Sequence, residues 1–187
     1  MRSSARLRPS RCGEKGATMK GSVFLFGLCH RDQRPCGAEP GDGLRSRLLT
    51  EIAGRAIDFI SEEAPPSKES RMTIAQCLAG AHGIQYRNVD PTEAERHRLK
   101  IRTDLTSGEY EDICASDDPH GAERLKLAEL AEPREQRWLL QIRQIDTVWR
   151  SMLFVCGAHH VVSFRAKLLA IGYEAQIIEP DWPSRQQ

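Results

Sequence analysis

Two short stretches of the chain carry residue types that can do chemistry. The apolar run SVFLFGLCH at 22 to 30 contains Gly27 and sets His30 three positions beyond it, and MLFVCGAHH at 152 to 160 repeats the arrangement with Gly157 and His160. An imidazole titrates near neutral pH and has two distinct ring nitrogens, so it serves as general base or metal ligand. Two of them at adjacent strand ends can share one divalent cation. Gly27 and Gly157 lack a Cβ, which lets the chain turn sharply or approach a ligand at those points. Between the two motifs, Glu62 and Glu63 close the run AIDFISEE. A carboxylate there can complete a metal site or activate water. Glu62, nearer the strand, is the preferred candidate; Glu63 has the alternative reading of a solvated loop acid.

Further residues join this set by position. His159 adjoins His160 and must point elsewhere, as a helper behind the ligand or as an exposed residue near a helix start. Asp90 precedes Pro91, which reads as a helix N-cap and also as a third acid on the same rim. Arg134 and Trp138 in REQRWLLQI are four apart and share a helical face. The indole then packs on the sheet, while the guanidinium is either solvated or reaches a carboxylate or phosphate in the site. His82, His97 and His120 fall at helix ends or in loops and read as surface residues.

The elements that must position these groups alternate between strand and helix. Strand-like runs occur at 22 to 28, 56 to 63, 84 to 90, 152 to 156 and 174 to 180. Helical periods run from Leu44 to Ala56, from Thr73 to His82 with Gly83 placed to end it, from Asp90-Pro91 onward, from about Gly121 to Ile145, and from Val161 to Ile171 with Gly172 behind it. Pro133 is expected to kink the long helix or begin a new one. Residues 102 to 120 read as a surface insertion and Trp182 as part of a tail. The pattern predicts one α/β domain over 19 to 187, with a largely parallel or mixed central sheet of about five strands and helices on both faces. Ligands of such sheets gather at the carboxyl ends of the strands, where the acids and histidines fall.

The bulk properties narrow the class. Residues 1 to 18 hold five Lys/Arg, one Glu and little apolar mass, and are expected to lie outside the fold, as an extension or an upstream mis-start before Met19. Without them the 27 basic and 26 acidic residues become 22 and 25, a net −3, and no basic stripe suggests nucleic acid. No apolar stretch approaches the roughly 18 residues of a membrane span. Six cysteines form no C-x-x-C pair, so Cys77 and Cys156 read as small core residues and a reducing, cytoplasmic setting is expected. Neither phosphate-loop nor dinucleotide glycine motifs occur.

The motifs GLCH and GAHH, with an acid-ended strand between them and REQRW before the second, resemble the TraB/GumN/TIKI superfamily, to which the erythromycin-esterase and ChaN-like proteins are distantly similar. The segment LFVCGAHHVVSFRAKLLAIGYEAQII looks especially like the late strand, histidine, helix and final strand of that superfamily. The resemblance covers most of 22 to 180 in short pieces and implies a hydrolytic site of His30, Glu62 or Glu63, Arg134 and His160. The chain departs from the pattern at Leu28, Cys29, His159 and Glu135. The expectation is a metal-dependent hydrolase of an ester or amide bond in a small molecule or peptide. In it His30, His160 and Glu62 hold a divalent cation of unspecified identity, and Glu62, Glu63 and Arg134 act on the substrate. The competing expectation is a non-catalytic α/β binding module on the same frame.

Overall fold

A computed structural model of the protein describes residues 20–29, 33, 42–64, 72–146 and 148–182. The described residues build one five-stranded sheet in the order β3-β2-β4-β1-β5. The strands are β1 (Ser22–Leu28), β2 (Phe59–Glu62), β3 (Gln85–Asn88), β4 (Ser151–Gly157) and β5 (Glu174–Trp182), and the helices are α1 (Asp42–Gly54), α2 (Ile74–His82), α3 (Glu93–Leu99), α4 (Ser107–Cys114), α5 (Pro119–Arg143) and α6 (Val161–Ala170). Every pairing is parallel. Parallel neighbours need long crossovers, which the helices supply.

Sequence composition follows position in the sheet. The central strands β1 and β4 are almost wholly buried, because both of their faces lie under helices. Along them, successive residues alternate between two cores. Val23, Leu25, Met152, Phe154 and Cys156 pack with Trp138 and Ile142 of α5 and Phe164 and Leu168 of α6. Phe26, Leu28, Leu153 and Val155 pack with Leu44, Leu48 and Ile52 of α1 and Ile74 and Leu78 of α2. The edges are more polar: β3 reads QYRN, and β5 contains Pro180, whose missing N–H is tolerated on an outer strand.

The expected strands and helices are present, with several corrections. Helix α5 runs unbroken through Pro133, whose ring lies on the exposed side, where water can serve the carbonyl left without an intrahelical donor. Helix α3 starts later than Asp90-Pro91: Thr92 is its cap, in a reciprocal pair with Glu95, the T-x-x-E signature present at 92 to 95. Residues 107 to 114 of the expected insertion form α4, which buries Ile113. Trp182 ends β5 instead of lying in a tail, paired with Leu28 and with its ring centroid 6.2 Å from that of Phe26. Residues 1 to 18 and His30 lie outside the described residues. Among the described residues no helix is long and apolar enough to cross a membrane.

The chain folds over both sides of β4. From β2 it moves outward to β3 through α2 on one face; from β4 it moves the opposite way to β5 through α6 on the other face. The carboxyl ends of β2 and β4 therefore flank a crevice, the place where open α/β sheets bind ligands. Neighbouring β1 and β4 are paired as the two histidine motifs require, but Gly157 aligns with Leu28, and Gly27 with Cys156. This offset of one residue points the two glycine positions to opposite faces, so the motifs are not structural copies.

Gly27 has its own cause. The register of β5 shifts around Phe26, and a Cβ on Gly27 would lie 2.3 Å from the Pro180 carbonyl oxygen and 2.6 Å from Val161 Cγ2. Gly27→Ala is expected to lower stability by about 1–3 kcal/mol, since a backbone strand has to move. Gly54→Ala, where nothing lies within 4 Å, is expected to be neutral or slightly stabilising. Denaturant melts of the two variants check the ranking.

Candidate functional site

Glu62 and Glu63 are consecutive at the end of β2, so their side chains leave on opposite faces of the sheet. Both are buried, at 1% and 0% exposure, and their surroundings differ. Glu62 turns toward α2. Its Oε2 accepts hydrogen bonds from Thr73 Oγ1 at 2.5 Å and Tyr86 Oη at 2.9 Å. Gln33 Nε2 lies 3.4 Å from its Oε1 and donates to the Glu63 carbonyl at 2.6 Å. These donors are neutral. Burial dominates and pushes the Glu62 carboxyl up to about 7, with the hydrogen bonds from Thr73 and Tyr86 opposing and the Glu63 charge adding.

Glu63 turns toward α5 and α6. Its Oε2 accepts the Gly157 backbone N–H at 2.8 Å, closing the crevice between β2 and β4. Arg134 Nη1 lies 2.8 Å from its Oε1. The same guanidinium grips Asp90 with two hydrogen bonds, Nε to Oδ1 at 2.8 Å and Nη2 to Oδ2 at 3.0 Å, and Arg96 of α3 also donates to Asp90 Oδ2. Asp90 is thus no helix cap. It is a buried carboxylate that anchors two arginines, with Asn88 Oδ1 receiving its backbone N–H at 2.9 Å. Arg134 is placed as a bridging cation instead of a solvated one. These contacts use three of its five donors, and its Cζ lies 5.7 Å from the Trp138 ring centroid.

His160 completes the arrangement. It sits in the 3-10 turn Ala158–His160 that joins β4 to α6, with 1% exposure. Its Nδ1 lies 2.8 Å from Glu135 Oε1, and Trp138 meets its ring edge-on at 4.7 Å between centroids. Burial alone would raise the Glu135 carboxyl, but hydrogen bonds from His160, Ser163 and Lys167 outweigh it and hold the group below its ordinary range. Ser163 Oγ donates to Oε1 at 2.7 Å and Lys167 Nζ lies 2.9 Å from Oε2. An ionised Glu135 only accepts, so the Nδ1 of His160 carries the proton, and in the neutral ring Nε2 keeps its lone pair. That nitrogen has no hydrogen-bond partner among the described residues and lies 3.6 Å from Glu63 Oε1. His160 and Arg134 border a cleft of about 30 Å³ that His159, Arg102, Thr103, Leu127, Leu130 and Ala131 also line.

The structure thus brings Glu63, Arg134, Asp90 and His160 together, with Gly157 as a backbone donor. Glu62 stands on the other face, and His30 lies outside the described residues. His159 is exposed, its ring tilted by 43° to that of His160 with 3.9 Å between centroids. Glu135, which the sequence marks only as a departure from the superfamily pattern and not as a site residue, joins the site. It occupies the helical stripe of Ala131, Trp138 and Ile142, all buried, and a charge where the helical period calls for an apolar residue was the signal available. The donor set for a divalent cation does not fit the residues described. No group of three or more His, Cys, Asp or Glu among them could hold a metal, Glu62 faces away, and Glu63 Oε1 already carries Arg134.

Comparison of the chain with protein-family models, with curated proteins and with solved structures found no match.

Two outcomes test this electrostatic picture. The folded Glu62 carboxyl, at about 7 against an ordinary 4.5, binds its proton more tightly than the unfolded chain does. Stability is therefore greatest below the unfolded value and declines as pH rises through the folded one, by on the order of 3 kcal/mol in total. Glu62→Gln, which keeps an acceptor for Thr73 and Tyr86, is expected to flatten that decline in denaturant melts between about pH 4 and 9. Arg134→Ala leaves Glu63 and Asp90 without their shared cation and is expected to cost about 3–5 kcal/mol in the same assay. Arg134→Lys should recover little of it, because an ammonium cannot reproduce the planar fork.

Proposed function

We propose that the chain is a hydrolase of ester or amide bonds that uses His160 as general base. The observation that carries this reading is the Glu135–His160 pair. A buried ionised carboxylate fixes the imidazole tautomer and leaves the other ring nitrogen, the buried Nε2, without a hydrogen bond among the described residues, in a side chain that borders a small cleft with Arg134 and other residues of α5. The likeness of GLCH, GAHH and REQRW to the TraB/GumN/TIKI pattern points to the same class of reaction.

In this reading a water oxygen bonds to the substrate carbonyl carbon while one of its protons passes to His160 Nε2. Glu135, at 2.8 Å from Nδ1, stabilises the imidazolium that forms. Negative charge develops on the carbonyl oxygen, and the N–H groups of Arg134 not committed to Glu63 and Asp90 can face it. The carbon–oxygen or carbon–nitrogen bond then breaks, and the imidazolium returns its proton to the leaving group. Glu63 positions Arg134, at 2.8 Å, and lies 3.6 Å from the ring's Nε2.

Full-length protein should turn over members of a panel of p-nitrophenyl esters and peptide p-nitroanilides, and His160→Gln should lower the rate by roughly 10²–10⁴. Glu135→Gln should also lower it. Melting curves establish that both variants fold, and metal analysis of wild type and His160→Ala determines whether a cation accompanies the activity. No turnover across the panel, or equal rates in wild type and His160→Gln, would replace this reading with a non-catalytic binding module.

A further inference from the structure

The cleft at His160 does not end there. A second cleft of about 140 Å³ abuts it, sharing Arg102 and Leu130 as walls, and is lined further by Lys100, Glu109, Lys126, Glu129 and Pro133. Together the two follow α5 outward from Arg134 to Lys126, about 12 Å of helix axis. Their linings share a chemistry. Leu127, Leu130, Ala131 and Pro133 give an apolar floor along the helix, and at the outer end stand three cations against two acids. Arg102 is paired with Glu109, and Lys126 Nζ lies 3.2 Å from Glu129 Oε2. Lys100 is the left-handed cap of α3, at φ 53, and no ion pair among the described residues holds its ammonium. The outer end thus keeps an excess positive charge beyond an apolar stretch.

We propose that this double cleft selects acyl groups with a short apolar chain ending in a carboxylate, the reacting carbonyl at His160 and the anionic end between Lys100 and Lys126. The volume supports about six carbons, since a cavity of roughly 150 Å³ holds benzene; such a chain covers about half of that axial distance, so the flexible stems of Lys100 and Lys126 must reach over the carboxylate. The inner cleft, with a volume of about 30 Å³, suits an unbranched acyl carbon rather than a bulky one. The inference rests on reading His160 as the reacting end of the site; the anion-binding end stands on Lys100, Arg102 and Lys126 alone.

The test compares the p-nitrophenyl monoester of adipate with the p-nitrophenyl ester of hexanoate, equal in chain length and differing in terminal charge. Wild type is expected to favour the adipate ester by roughly tenfold in kcat/KM at low salt. The preference should shrink as ionic strength rises and be lost in the double variant Lys100→Glu/Lys126→Glu. Both sites are on the surface, and a melting curve confirms that the variant folds. Equal kcat/KM for the two esters in wild type, or a preference that survives the double change, overturns the proposal. Titration of adipate itself against the full chain keeps the two readings apart. If no ester is turned over, the hydrolytic reading fails, while adipate binding that weakens about tenfold in the double variant upholds the anionic subsite. The absence of adipate binding overturns the subsite whether or not esters are hydrolysed.

Discussion

A fully buried carboxylate at a crevice between two parallel strands is the constraint around which the site is built. Glu63 cannot remain ionised there without compensation, because removing a charge from water costs several kcal/mol even after the protein relaxes. Among the described residues, two groups from different parts of the chain contribute to that compensation. The Gly157 N–H comes from the end of β4 and the guanidinium of Arg134 from α5. Arg134 is itself poorly hydrated in that position and is balanced by Asp90, which also holds Arg96. Through Arg134 and Asp90, this carboxylate ties together the ends of β2 and β4, the segment after β3, the middle of α5 and the last turn of α3. Apolar residues of similar volume would hold such a junction at least as well.

Helix α5 turns that constraint into a site by presenting adjacent residues to different neighbours. Arg134 and Glu135 are one position apart, about 100° around the helix axis. Arg134 reaches the acids at the ends of β2 and β3; Glu135 reaches His160 and Lys167 on the α6 side. Trp138, one turn on, packs beneath both, against the His160 ring and the rings of Phe154 and Phe164. Continuity of the helix through Pro133 matters for this reason. A break immediately before Arg134 would release the orientation that lets one turn serve two clusters.

The arrangement of strands and helices was readable from period and punctuation, because apolar runs buried on both faces and capped helices leave local signals. Asp90, Arg134 and His160 were likewise visible as candidates, being polar groups at strand ends or beside a packing tryptophan. The strand order β3-β2-β4-β1-β5 was not readable, since parallel pairing joins segments far apart in the chain and leaves no local mark. The choice between Glu62 and Glu63 depended on that order. Proximity to the strand favoured Glu62, whereas the deciding quantity is parity: residues 59, 61 and 63 share a face, and the face of α5 and α6 is known only once the layers are assembled. Glu135 was hidden for a related reason, as a buried glutamate is rare without a partner and its partners lie 25 and more residues away. The matching spacing of the two glycine–histidine motifs overstated their symmetry, because an offset of one residue in the β1/β4 register reverses the face on which each glycine lies.

The two neighbouring glutamates also show how one strand end can supply carboxyl groups of different character. Thr73, Tyr86 and Gln33 give Glu62 hydrogen bonds but no positive charge, and neutral donors do not offset desolvation, so its proton is retained to about 7. Glu63 has a guanidinium at 2.8 Å and a backbone N–H at the same distance. Thr73 links the first of these environments to structure, since its hydroxyl donates to Glu62 while accepting the Gln76 N–H that caps α2. Ionisation of Glu62 strengthens its hold on that hydroxyl and at the same time leaves a buried charge with no cation beside it among the described residues. The α2 face of the sheet is consequently the side whose packing responds to pH near neutrality, whereas the α5 face holds its charges in mutual compensation. The His160 cluster is thereby separated, by the thickness of one strand, from the proton that Glu62 exchanges.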